Sequence, residues 1–203
     1  MWPLGSYERM VHEIKRRENP DIPITFGILI ADYRQSLNQE YILNYINRFD
    51  YKSDRYINFY LPGYIDDDRY GSNQEICIND KKYYFNLNEY EKFLIYLEND
   101  FKIEYPYTPI LLLVEYKNGH FSKSNIVRIE LDSDPINIKR TGILFEKIFL
   151  CAQSHVNIDD IQKGLRKTAF KEGLLENIVQ ALDISWLTAI QSMSENVKSY
   201  KIS

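Results

Sequence analysis

From Ile24 to Ala31 the chain is an almost unbroken apolar run, ITFGILIA, which stops at the polar tip Asp32-Tyr33-Arg34-Gln35. Ser36 then opens a segment in which Leu37, Tyr41, Ile42, Tyr45, Ile46 and Phe49 recur at a spacing that only a helix turns to one side. Ser36 and Gln39 are placed as a capping box for it. A second apolar run, YINFYL, follows. Strand, helix and strand in this order predict a parallel pair with a crossover between them, which fixes the class as α/β. A ligand of such a sheet is expected beyond the carboxyl ends of its strands.

Ahead of this unit, Ser6 to Arg17 carries Met10, Val11 and Ile14 on one face, with Glu8 early and Lys15-Arg16-Arg17 late, as the helix dipole favours. This helix should stop before Asn19-Pro20. Beyond Leu61 the chain breaks at Pro62-Gly63 and enters a polar loop, YIDDDRYGSNQ. A hairpin is expected next, EICI and KKYYF around Asn79-Asp80. Tyr90, Phe93, Leu94 and Leu97 mark a further helix, and YPYTPILLLVEY and NIVRIEL a second hairpin around Lys117-Asn118-Gly119-His120. Alternation of Val127, Ile129 and Leu131 with Arg128 and Glu130 predicts a strand with one wet face.

After Asp134-Pro135, helical spacing resumes over 142–152, and beyond Asn157 there is no strand signal. Ile158, Ile161 and Leu165, then Leu174, Ile178 and Leu182, then Leu187, Ile190 and Val197 suggest two or three helices, interrupted near Gly173 and Ser185. The expected organisation is an N-terminal helix over 1–21, an α/β core over 22–153 and a helical extension over 154–203 that packs on the core or on a partner. There are no internal repeats.

The order β-α-β, hairpin, α-β-β-α over about 22–153 resembles the thioredoxin-like fold with an inserted hairpin. Thr108-Pro109 followed by ILLLVEYKNGHF is similar to that family's cis-proline strand and its turn, and a Pro109 that opens a strand in trans is the plainer alternative. The resemblance implies a three-layer mixed sheet flanked by helices, thioredoxin-like or related. Where that family keeps its Cys-x-x-Cys pair, this chain has Tyr33-Arg34-Gln35-Ser36, so dithiol redox chemistry is not expected.

Composition narrows the choice by exclusion. No uninterrupted apolar run exceeds that of Ile110–Val114, far short of the ~20 residues of a spanning helix. The first residues carry no signal-peptide pattern, and a cytoplasmic location is expected with no membrane partner. Cys77 and Cys151 are widely spaced and each sits in an apolar pattern that suits a buried thiol. A net charge of −4 argues against a nucleic-acid partner. The excess of Tyr, Ile, Asn and Lys reads as AT-rich coding, as in a low-GC bacterium.

Asp32, Tyr33, Arg34, Gln35 and Ser36 cluster where the first strand meets a helix N-terminus, a place that receives anions. With Tyr64 they form the candidate ligand-binding set. Arg34 is suited to a phosphate or carboxylate and Asp32 to a base or a metal ligand. The plain alternative is that Asp32 caps the turn and Arg34 is solvated or pairs with it.

Asp66, Asp67 and Asp68 should fall on the same rim and are the candidate metal ligands, although they lack the spacing of a calcium loop and also suit a hydrated acidic loop. His12, His120 and His155 show no zinc spacing, and no nucleophile elbow is present. Lys163, Arg166, Lys167 and Lys171 form a basic stripe suited to nucleic acid, an acidic partner or the Asp66–Asp68 loop of another copy, and equally to the wet face of a helix.

Missing motifs lead to the expectation of a non-catalytic binding, accessory or sensor protein, as in a bacterial phage-defence or conflict system. It would act through a protein partner, a homo-oligomer or a small anionic ligand. The rival expectation is a metal-dependent nucleotide or phosphoester enzyme using Asp32, Arg34 and Asp66–Asp68. No cofactor is assigned.

Overall fold

Strand β2 (Ile24–Ile30) and strand β3 (Asn58–Pro62) pair in parallel, Phe26 with Asn58 and Ile28 with Tyr60, and helix α2 (Ser36–Lys52) crosses between them. The computed structural model describes residues 2–19, 21–52, 57–67, 74–101, 108–131, 145–146, 148–154, 157–171 and 200–202. On the other side of β2 runs β7 (Ile110–Lys117), antiparallel, with Ile30 opposite Ile110. β8 (His120–Leu131) returns from it through Asn118-Gly119, whose φ values of 53 and 80 are the left-handed pair that a tight hairpin turn needs. Thr108-Pro109 is a trans peptide, the plainer of the two expectations.

Two short strands complete a six-stranded sheet in the order β1-β3-β2-β7-β8-β9. β1 (Trp2–Leu4) lies parallel to β3, and β9 (Tyr200–Ile202) antiparallel to β8. The expectation of no strand beyond Asn157 is therefore corrected. A three-residue edge strand is too short to show a period-2 pattern, and its place depends on the open edge of β8. The later tail helices, the beginning of the helix expected over 142–152, and Asp68, Arg69, Tyr70 and His155 lie outside the described residues.

Helices cover both faces of this mixed sheet. On one face lie α1 (Tyr7–Arg16), capped by Ser6 Oγ accepting the Arg9 N–H at 3.2 Å, and α3 (Leu87–Phe101), capped by Asn86 Oδ1 accepting the Glu89 N–H at 3.1 Å. Tyr7 meets Phe93 edge-on at 5.4 Å, over a layer formed by Phe26, Tyr60 and Phe121. The opposite face carries α2, α4 (148–154) and α5 (Ile158–Lys171), with Phe149 edge-on to Phe59 at 5.3 Å and Phe145 to Tyr45 at 5.0 Å. Helix α5 packs on β7 and β8 and buries Ile158, Ile161 and Leu165, so the first part of the tail belongs to the core. Among the described residues no helix is long and apolar enough to cross a membrane.

The expected EICI/KKYYF hairpin forms, but as part of a separate three-stranded sheet. Its order is β4-β6-β5, from β4 (Tyr64–Ile65), β5 (Glu75–Ile78) and β6 (Lys81–Phe85). Asn79 and Asp80 turn the hairpin at φ 50 and 60. Gly63, at φ 81, steers the chain from β3 into β4 while its N–H donates to the Leu4 carbonyl at 2.9 Å. Cys77 is exposed, contrary to its apolar pattern, because β5 turns Ile76 and Ile78 inward and the residue between them outward.

Candidate functional site

At the carboxyl end of β2 the polar tip closes on itself. Asp32 Oδ1 accepts the Arg34 N–H at 3.0 Å, and its two oxygens accept Arg34 Nε at 3.0 and 3.1 Å and Nη2 at 2.6 Å. The Gln35 N–H donates to the Asp32 carbonyl at 3.1 Å, completing a tight turn. A fork-to-carboxylate pair of this kind is among the stronger surface ion pairs because both geometry and charge are matched. Asp32 keeps 13% of its side chain exposed and Arg34 48%, so the guanidinium still presents a face to solvent.

Burial pushes the Asp32 carboxyl up, yet the hydrogen bonds from Arg34 and its charge outweigh that and hold it below its ordinary value. Arg34 is raised in turn, first by its hydrogen bond to Asp32. A carboxyl held low stabilises the fold above its ordinary 3.8 and loses that contribution as pH falls through the lower folded value. Asp32→Asn should therefore be less stable than the parent at neutral pH, by a gap that stays constant down to about pH 5 and closes in stronger acid. Urea unfolding from pH 7 downward checks this, and a gap that widened on acidification would contradict it.

Three tyrosines stand behind this pair. The Tyr33 hydroxyl donates to the Glu75 carbonyl at 3.3 Å, and Gln39 Nε2 donates to the Tyr33 carbonyl at 2.8 Å, so Gln39 braces the turn instead of serving Ser36 in a capping box. Tyr64 lies edge-on to Tyr33 with ring centres 6.2 Å apart, and Phe85 links it to Tyr90 at 5.4 Å on either side. Burial pushes the Tyr64 hydroxyl well above its ordinary range, and Tyr33, Tyr90 and Asp32 add to the effect. Burial likewise raises Tyr90, with Asp32 adding and Arg34 opposing. The Tyr64 hydroxyl is buried without a hydrogen-bond partner among the described residues.

The structure thus gathers Asp32, Tyr33, Arg34 and Tyr64 at one place, with Gln35 and Ser36 at the adjoining start of α2. Asp66 takes different company. It pairs with Lys81 at 2.8 Å and lies in the field of Arg9, and those interactions lower its carboxyl. Asp67 is half-buried. Among the described residues no group of three or more His, Cys, Asp or Glu side chains is placed to hold a metal. His12 and His120 are exposed, and Lys163 is paired with Asp160 at 3.8 Å.

Next to Asp66 opens a cleft of about 480 Å³. Trp2, Arg9, Asp50, Lys81 and Tyr83 line it together with Tyr64 and Asp66. Of these, only Tyr64 and Asp66 were candidates from the sequence. The others come from β1, α1, α2 and β6, and no local motif joins them.

No family model, no curated protein and no solved structure matches this chain.

Proposed function

We propose that this chain is a non-catalytic binding protein, an accessory or sensor subunit. In this reading the rim around Asp32, Arg34 and Tyr64 meets a partner protein or a small anionic ligand. The observation that carries it is the Tyr64 hydroxyl, one of five buried polar side-chain atoms without a partner among the described residues and the one whose ring packs against Tyr33 of the rim. A buried hydroxyl left without a partner costs about 1–3 kcal/mol, and such a cost is at home where a ligand completes the bond. Arg34, half in solvent on the Asp32 turn, supplies the cation for an anion. The closed Asp32–Arg34 pair weighs against Asp32 as a free base or metal ligand, the role that the enzyme reading needs.

We read the fold as thioredoxin-like. Support comes from the order β3-β2-β7-β8 with only β2 and β3 parallel, and from helices on both faces. The three-stranded sheet is then an insertion between β3 and α3. Tyr33-Arg34-Gln35-Ser36 in the redox position leaves such a scaffold with recognition as its task.

Native mass spectrometry of gently purified protein, parent and Tyr64→Phe side by side, tests the reading. The parent should retain a bound mass that Tyr64→Phe loses, while the variant melts at or above the parent temperature because it no longer buries an unpaired hydroxyl. A parent that carries no added mass, or a variant destabilised by more than about 1 kcal/mol, would make the hydroxyl a structural feature and overturn the reading.

A further inference from the structure

The cleft beside the rim has its own chemistry. Its volume of about 480 Å³ falls in the range that small-molecule sites occupy. Arg9 and Lys81 approach it from α1 and β6, and Asp66 lies in the field of both. Lys81 pairs with Asp66 at 2.8 Å, whereas the Arg9 guanidinium makes no ion pair among the described residues. Asp50 and Asp66 offset the two cations of the lining, and with Lys81 held by Asp66 an incoming anion meets Arg9 first.

The remaining lining is aromatic or hydrogen-bonding. Trp2 and Tyr83 both contribute to the wall, and each already attracts a cation, Arg17 at 5.0 Å from the Trp2 ring centre and Lys81 at 5.2 Å from that of Tyr83. Flat rings of this kind suit a planar partner. Asp50 accepts from Asn79 Nδ2 at 2.9 Å, and as carboxylates Asp50 and Asp66 have lone pairs for O–H and N–H donors. The matching ligand combines an anion, a planar ring, and hydroxyl or amino donors.

We propose that this cleft binds a nucleoside 5′-monophosphate. Its phosphate meets Arg9 and Lys81, its base lies against Trp2 and Tyr83, and the carboxylates of Asp50 and Asp66 accept from sugar or base. The cleft borders the rim and shares Tyr64 with it, but Arg9, Lys81, Trp2 and Tyr83, which would hold the nucleotide, have no part in the function proposed for the rim.

Isothermal titration of the full chain with AMP, GMP, CMP, UMP, their nucleosides and inorganic phosphate is the test. At least one monophosphate should bind with a Kd below about 100 μM, and its nucleoside and inorganic phosphate at least tenfold more weakly. Arg9→Ala, a change at an exposed position, should weaken binding at least tenfold, and Tyr83→Ala should weaken it severalfold. Lys117→Ala, an exposed change outside the cleft lining, should leave it unchanged. Absence of heat with all four monophosphates, or equal binding of inorganic phosphate, would overturn the proposal. So would binding that survives Arg9→Ala but is lost in Arg34→Ala, which would move the ligand to the rim.

Discussion

Alanine at Gly27 is expected to destabilise the protein by about 2–3 kcal/mol, because the added methyl has nowhere to go. Gly27 stands opposite Phe59 in the parallel β2–β3 pair, and the Phe59 ring lies across it. A Cβ there would come within 2.5 Å of ring carbons Cδ1 and Cε1, with Leu113 Cδ2 at 3.5 Å. The ring cannot swing aside cheaply, since Phe59 is fully buried and Phe149 meets it edge-on at 5.3 Å. Close-packed interiors transmit such an insertion as strain.

Changing both members of the contact gives a sharper test. Phe59→Leu alone removes aromatic packing and should also destabilise, yet in the Gly27→Ala background it makes room for the methyl. The double variant should then be more stable than the sum of the single effects implies, by at least about 1 kcal/mol. Urea unfolding of all four proteins measures this coupling. Single effects that simply add would mean that the clash is relieved by backbone movement instead.

Legibility in the sequence followed element length. ITFGILIA, the α2 stripe and the two hairpins show several periods of their pattern, and each forms where it is expected. WPL and YKI are read only through their partners β3 and β8, so β1 and β9 left no local trace. Tyr64–Ile65 looked like part of a polar loop for the same reason, and recruiting it turned an expected hairpin into a separate sheet.

The candidate site divides in the same way. Asp32 to Ser36 are contiguous, and the turn that joins them is local chemistry, so even the Asp32–Arg34 pair was foreseeable as one of the two forms of the plain alternative. The unpaired Tyr64 hydroxyl and the cleft at Arg9 and Lys81 arise only when α1, β1, α2, β4 and β6 are brought together. Long-range assembly of this kind leaves no spacing rule in one sequence.

Gly63→Ala should cost still more than the change at Gly27, about 3 kcal/mol or above, because two penalties fall on one residue. Its φ of 81 is a left-handed conformation that an alanine adopts at a cost of about 1–2 kcal/mol. The new Cβ would also come within 2.6 Å of Tyr90 Cβ, 3.2 Å of Tyr90 Cα and 3.2 Å of Phe85 Cε2. Tyr90 Cα is helix backbone and cannot rotate away. Gly119 separates the two penalties, since it has nearly the same φ of 80 but, among the described residues, nothing lies within 4 Å of the position its Cβ would take. Gly119→Ala should show the conformational cost alone, and the excess at Gly63 should be at least about 1 kcal/mol of steric conflict. The excess has a place as well as a size. Gly63 donates to Leu4 at 2.9 Å and accepts from the Asn86 N–H at 2.7 Å, so it joins β1, β3 and the start of α3 to the three-stranded sheet. Hydrogen exchange on Gly63→Ala should therefore accelerate at the amides of β4, β5 and β6 before those of β2 and β7. Uniform acceleration across both sheets would instead make the small sheet inseparable from the core, and the Tyr64 rim would then open only on global unfolding.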